Sequence, residues 1–527
     1  MPQHQPLIAG RWSSIAASQG FIHSYAPSTG EALPDSYPMS DNDELSAAVA
    51  AGLSAAVELV RIPPSTIADF LETYAANIEA GADEICAMAA LETALPYNPR
   101  LRSVELSRTT NQLRQAAAAA RDRSWTTATI DTNLNIRSML RPMGGPIVVF
   151  GPNNFPLAFN AVSGGDFAAA IAAGNPVIAK ANPGHLSTTR LLAEAAYKAL
   201  QTTGMPLATL QLFYHCLPED GLKLISHPSV AAAAFTGSRE AGLSLKAAAD
   251  AAGNPIYLEM SSVNPIFILP GALSERGPEI ASEFAESCLL GVGQFCTNPG
   301  LVVVPAGSSG EAFLESVVAH FQQRPTGTLL SRSGAVRIDQ AITVLQQAGA
   351  EIVTGGNGGG FQFSNTLLRV SGKGFLNHAD SLQSEAFGPV SLIVIAAELA
   401  EMVAIAANLH GNLTGGIYTH SQGDDDAAYD RLEPVLRAKV GRLLNNKMPT
   451  GVAVSPAMVH GGPYPATGHP GFTAVGIPAS LHRFAVLQSY DNVAPHRLPI
   501  ELREKNPTGE MWRLVDGCWT QADLPRQ

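Results

Sequence analysis

Cysteine is scarce in this chain, and positive charge is outnumbered. The five cysteines (Cys86, Cys216, Cys288, Cys296 and Cys518) are odd in number and widely scattered. A paired disulfide scaffold is excluded by that count, and no cysteine clusters with histidines as a zinc site requires. No metal is therefore expected. Lys and Arg total 33 against 45 Asp and Glu, a formal net charge of −12. No basic stripe offsets the acidity, so no nucleic-acid partner is expected. No apolar run approaches a membrane span. The opening "MPQHQPLIAGRW" has neither a charged n-region nor an apolar h-region, so no signal peptide is expected. The chain reads as cytoplasmic, reduced and without a membrane partner.

What is abundant is punctuation. The 527 residues include 48 glycines and 37 prolines, which implies many connections between elements, and a chain of this length implies two or three domains. From Asp43 to about Ala120, apolar residues recur at three- and four-residue steps and predict helices, with Ser65 as a cap. Trp125 to Pro142 alternates Thr and Ile with polar residues and reads as an exposed hairpin arm. From Gly145 the pattern becomes strand, helix, strand. "PIVVF", "PVIAK", "LQLFYH", "VAAAAF" and "PIYLEM" are strands, and Ala158 to Ala173 reads as one of the helices between them. Such alternation predicts an α/β fold with a parallel sheet. A second α/β unit runs from about Pro265 to Asn445, with "GLVVV", "EIVTGG", "SLIVIA" and "GGIYT" as strands. The tail after Gly476 alternates again.

Ligands of parallel sheets sit at the carboxyl ends of the strands. That rule groups Asn153, Asn154, Lys180, Thr236 to Ser238, and Glu259, each at or just after a strand end. A lone cysteine is ordinarily a small buried hydrophobe. Cys296 differs, because "GVGQFCTNPG" surrounds it with Gly291, Gly293 and Gly300 and with polar Gln294, Thr297 and Asn298. A thiolate there could attack a carbonyl carbon, and nearby N–H groups could hold the oxyanion. Glu259 is either a surface carboxylate or, in a dry cleft, a general base. Asn154 is either a turn former or an oxyanion donor. Lys180 could meet ribose or phosphate oxygens, and Gly237 and Ser238 open a helix whose free N–H groups favour an anion. A GxGxxG fingerprint is lacking at these junctions.

Taken together, "PNNFP", "FTGS", "LEMSSVNP", "GQFCTNPG" and "EAFGPV" resemble, in order, the motifs of the aldehyde dehydrogenase superfamily. The resemblance covers nearly the whole chain. It implies two parallel-sheet α/β domains plus a β-arm for oligomerisation. Residues 1–125 and 143–260 would form the dinucleotide-binding domain and 261–475 the catalytic domain, with 126–142 and 476–527 as arm and tail. It implies Cys296 as nucleophile, Asn154 as oxyanion donor and Glu259 as the base that activates water, giving a thiohemiacetal, then a thioester, then a carboxylic acid. Lys180 and Glu385 would bind the cofactor riboses, and Phe387 would pack near the nicotinamide.

The segments "VHGGPYPAT" and "LPIELREKNPTGEMWRLVDG" resemble a subgroup containing NADP-linked ketoglutarate-semialdehyde (2,5-dioxovalerate) dehydrogenases and a bacterial fatty aldehyde dehydrogenase. The expected reaction is therefore oxidation of 2,5-dioxopentanoate to 2-oxoglutarate. A medium- or long-chain aliphatic aldehyde is the alternative, and a catalytically silent relative the reading from another class. Family members that prefer NAD commonly carry Glu three residues after the lysine. Pro183 stands there instead. A carboxylate would repel a 2′-phosphate by ~4 kcal/mol at ~4 Å and intermediate dielectric, so NADP is favoured over NAD, with Thr188 or Thr189 as helpers. His460 reads equally as a loop or a catalytic histidine. Arg141, Arg239 and Arg442 are unranked candidates for a substrate carboxylate. A homodimer or homotetramer is implied.

Overall fold

The computed structural model describes residues 3–13 and 19–524. Residues 1–2, 14–18 and 525–527, which belong to the expected 1–125 and 476–527 stretches, lie outside the described residues.

Four helices follow the first short strands: α1 (Asn42–Leu59), α2 (Pro64–Ala80), α3 (Ala82–Thr93) and α4 (Leu106–Asp122). The start of α1 is set by a reciprocal cap. The Asp41 carboxylate accepts the N–H groups of Asp43 and Glu44, and the Glu44 carboxylate accepts that of Asp41, leaving fewer orphan donors. The cap expected at Ser65 does not form. Pro64 opens α2 with its fixed φ, and Ser65 lies inside the first turn. Helices α2 and α4 lie side by side, burying Phe70, Leu71 and Tyr74 with Leu113, Ala116 and Ala117 in one core.

That core covers one face of a seven-stranded sheet. Its order is Ile256–Glu259, Ala232–Thr236, Ile147–Phe150, Val177–Lys180, Leu210–Phe213, Leu7–Ile8, Arg11–Trp12. The first five strands are mutually parallel, as their continuous apolar runs predict. The chain grows outward in both directions from Ile147–Phe150. The switch point therefore lies between that strand and Ala232–Thr236, where a crevice opens at the carboxyl ends. Register brings those ends level, with Lys180 beside Phe150 and Phe213, and Thr236 beside Glu259.

The expected helix from Ala158 to Ala173 is shorter, Gly165–Ala172. Residues before it are held in turns. Glu105 accepts the N–H groups of Leu157 and Ala158, and Asn160 bonds Pro156 O and the Val162 N–H. These side-chain bonds replace the helical ladder.

The second seven-stranded sheet runs Glu351–Thr354, Thr366–Ser371, Val390–Ala396, Leu301–Pro305, Ile266–Ile268, Asn412–Tyr418, Val440–Asn445. It is parallel except at its first pair. A third sheet joins Thr129–Asp131 and Ile136–Pro142 to the tail strands Ala485–Asp491, Arg513–Val515 and Cys518–Thr520. The 126–142 hairpin is thus paired on both sides within the chain, over a small core of Ile130, Met139, Leu498, Leu502 and Met511. No helix among the described residues is long and apolar enough to cross a membrane.

Candidate active site

The loop carrying Cys296 is braced from below. Gly291, Val292 and Gly293 all have positive φ, at 56°, 59° and 67°. A Cβ on Gly293 would fall 2.0 Å from the carbonyl oxygen of Gly388, so the turn requires glycine there. Asn264 then ties the loop to the Glu259 segment. Its side-chain amide donates to the carbonyls of Cys296 at 2.9 Å and Asn298 at 2.8 Å. Asn412 in turn accepts from Ser262 Oγ and from the backbone of Val263 and Asn264.

Above this scaffold three side chains converge. Cys296 Sγ lies 3.3 Å from His460 Nε2, and the same nitrogen lies 3.0 Å from Glu259 Oε1. Glu259 and His460 are buried and Cys296 is half-buried. The sulfur is therefore not sealed in apolar packing. Desolvation, followed by the charge of Glu259, pushes the Cys296 thiol well above its ordinary range, while Arg108 pulls it down. Glu259 Oε2 has no hydrogen-bond partner among the described residues. A nucleophile, a proton acceptor and an open carboxylate oxygen thus share one small space. The three ligand-type atoms lie within 4.8 Å of one another.

Asn154 is buried beside this group, and its amide donates to the carbonyl of Gln294 at 3.0 Å. One of its two N–H bonds is so committed. Arg100 holds the Asn154 carbonyl at 2.9 Å while paired with Glu105.

The residues expected to meet a cofactor fall in two places. Glu385 and Phe387 line a cavity with Ser262, Gly293, Phe295 and Asn298, next in sequence to Cys296. Desolvation pushes the Glu385 carboxyl up to about 7, against hydrogen bonds from Ser261 and Ser262. Lys180, Pro183, Gly237 and Ser238 lie along the carboxyl edge of the first sheet. Among the described residues no carboxylate pairs with Lys180, and desolvation brings its ammonium down to about 8. Such a cation fits a hydroxyl-rich or anionic ligand. A Cβ on Gly237 would lie 2.7 Å from the tip of the Phe235 ring, which would have to move. The Gly237 N–H donates to Glu259 O, and Ser238 Oγ accepts from Ala241 N. Two of the N–H groups expected to be free at this junction are therefore satisfied internally.

Other expectations change. Thr188 and Thr189 are fully buried and engaged, Thr188 with Glu92 and Thr189 with Asn160 and His185 O. They face the interior and cannot help a 2′-phosphate. His460 is resolved as a buried partner of Glu259 and Cys296, not a plain loop residue. The arginines can now be ranked. Arg141 lies in the arm sheet opposite Val486, and Arg239 lies over Tyr464. Arg442 lies within electrostatic reach of Cys296 but gives both terminal nitrogens to the carbonyls of Pro449 and Gly451. The sequence reading missed Arg108, which lies within reach of both Cys296 and Glu259. One turn of helix separates it from Glu105, and no motif marks it.

Residues 14–469 match the sequence profile of the aldehyde dehydrogenase family. The chain belongs to that family, whose members oxidise aldehydes to acids with NAD or NADP. It is 39% identical to alpha-ketoglutaric semialdehyde dehydrogenase 2 of Azospirillum brasilense, over 96% of this chain and 97% of that one. It is 35% identical to the alpha-ketoglutaric semialdehyde dehydrogenase of Acinetobacter baylyi, over 91% and 92%. The fold is that of lactaldehyde dehydrogenase from Escherichia coli, with a TM-score of 0.79 at 23% identity, over 93% of this chain and 99% of that one.

Proposed function

We propose that this enzyme oxidises 2,5-dioxopentanoate to 2-oxoglutarate, with NADP preferred over NAD and Cys296 as the nucleophile. The observation that carries the mechanism is the line of contacts from Cys296 Sγ through His460 Nε2 to Glu259 Oε1. The resting sulfur keeps its proton, because desolvation and Glu259 disfavour the thiolate. As the sulfur attacks the aldehyde carbon, that proton passes to the buried Glu259–His460 pair, whose carboxylate also lies within hydrogen-bond reach of the sulfur, and leaves to solvent before the thioester is hydrolysed. The carbonyl oxygen becomes an oxyanion, which the Asn154 N–H not given to Gln294 and the Cys296 N–H would hold.

A bound nicotinamide supplies the hydride acceptor for the oxidation. Lys180, Gly237, Ser238, Glu385 and Phe387 would hold the cofactor, with exposed Pro183 beside the adenosine ribose. The resulting thioester on Cys296 is hydrolysed by a water that gives its proton to Glu259 Oε2, the oxygen without a partner. On this reading the first sheet's unit binds dinucleotide and the second presents the nucleophile.

The substrate choice is supported by the two semialdehyde dehydrogenases named above. The cofactor preference is supported by Pro183 in place of a glutamate and by Lys180, with which no carboxylate pairs among the described residues. A medium- or long-chain aliphatic aldehyde is the second reading, favoured by the aromatic wall of Phe155, Phe159, Phe295 and Phe472 around the site. The arm's edge strand exposes Val486 and Leu487, which supports a homo-oligomer, since such an edge needs covering. We place the enzyme in the cytoplasm. The deciding experiment is steady-state kinetics with 2,5-dioxopentanoate and octanal, each with NADP and NAD. The highest kcat/KM is expected for the dioxo acid with NADP. A higher value for octanal selects the aliphatic reading, and a higher value with NAD removes the cofactor assignment.

A further inference from the structure

Arg108 is a half-buried guanidinium with two unmet donor nitrogens. It lies on α4 with its side chain across two aromatic rings, 5.6 Å from the Phe155 centroid and 5.0 Å from the Phe159 centroid. Phe159 packs on the His460 ring at 5.8 Å, and His460 touches Cys296. A continuous path of contacts therefore joins Arg108 to the sulfur. Nη1 donates to the carbonyl of Val452 at 2.7 Å, which fixes the plane of the group. Nε and Nη2 are buried and have no acceptor among the described residues.

Those two nitrogens are the informative ones. In arginine, Nε–H and one N–H of Nη2 point the same way and form a two-pronged fork that matches a carboxylate. Leaving both unmet in a desolvated site is costly unless a ligand supplies the acceptor. Among the described residues no carboxylate pairs with Arg108. Nearby Glu105 is occupied by Arg100 and by two backbone N–H groups. Arg442 offers no such fork, since only its Nε is unpartnered.

We propose that Arg108 is the specificity-determining residue that receives the carboxylate of an aldehyde acid whose aldehyde carbon sits at Cys296. The inference rests on the semialdehyde reading given above, and it names which residue recognises the charged end. The aromatic walls contact the methylene carbons between the two ends, so length and charge are read together. Arg108 also favours the Cys296 thiolate, so its loss slows turnover of every aldehyde. The substrate ratio, rather than the rate, is the readout.

The test compares kcat/KM for 2,5-dioxopentanoate with that for pentanal in the wild type, Arg108→Gln, Arg108→Lys and Arg442→Gln. The wild type is expected to prefer the acid. In Arg108→Gln that preference falls by roughly 10²-fold, the loss of one charged two-pronged contact, and mainly through KM. Arg108→Lys, with a point charge in place of the fork, should lose roughly tenfold. Arg442→Gln should keep the wild-type ratio. A wild-type ratio in Arg108→Gln, or in Arg108→Lys if the Gln variant does not fold, overturns the assignment while the semialdehyde reading stands. Collapse of the ratio in Arg442→Gln alone moves the site to that residue. A wild type without preference for the acid overturns the semialdehyde reading, and this inference with it.

Discussion

Cys288 and Cys296 come from one short stretch of chain and live in opposite environments. Cys288, near the end of the helix Pro270–Leu289, is fully buried among Ile280, Phe284 and Val302. Its Sγ donates a long hydrogen bond to the carbonyl of Val390 at 3.9 Å, and burial pushes its thiol up to about 12 against a hydrogen bond with the Asn298 side chain. Cys296 is also raised by desolvation, but it is half-buried and touches a histidine. Both thiols are protonated at rest. Reactivity here depends on having somewhere for the proton to go, and only Cys296 has His460 beside it.

Replacing each cysteine should give the largest difference between the two. Cys296→Ala is expected to abolish dehydrogenase turnover, to below about 10⁻⁴ of wild type, while cofactor binding measured by fluorescence titration survives. Cys288→Ala should keep turnover and lose only about 1 kcal/mol of stability in a denaturant melt. Next comes the proton acceptor. His460→Gln should lower kcat/KM by roughly 10²–10⁴, and the loss should shrink as pH rises and the thiolate forms without help. A pH-independent loss would make His460 structural. Asn154→Ala removes one oxyanion donor and is expected to cost roughly 10²–10³ in kcat.

A finer prediction concerns Glu259. Its charge helps to raise the Cys296 thiol, so Glu259→Gln should move the midpoint of Cys296 alkylation to lower pH. Cys288 should not respond, because no carboxylate contributes to its shift. An unchanged Cys296 midpoint would mean that desolvation alone sets it. The smallest effect involves the cofactor. Lys180 loses its charge above about pH 8, so NADP affinity should weaken there while NAD affinity changes little. Equal loss for both would detach Lys180 from the 2′-phosphate.

The same comparison explains what could be read in advance. Glycines, polar neighbours and order along the chain set Cys296 apart from Cys288 in the sequence. Strand ends were legible too, because buried parallel strands are short apolar runs, and Lys180, Thr236 and Glu259 close theirs. The helix before Gly165 was not, because Glu105 and Asn160 reach in with side-chain bonds that no local pattern reveals. The Ser65 cap failed because Pro64 sets the first turn. Long-range pairings were the main blind spot. His460 meets Glu259 and Cys296 only through tertiary folding, and Arg108 sits on a helix whose pattern advertises nothing but amphipathicity.

The most direct measurement is mass spectrometry of acid-quenched Glu259→Gln enzyme after a single turnover with NADP and 2,5-dioxopentanoate. With deacylation slowed, the acyl group should be found on the peptide containing Cys296, in an amount matching the burst of reduced cofactor. A burst with Cys296 unmodified, or with the acyl group on Cys288, would contradict the account.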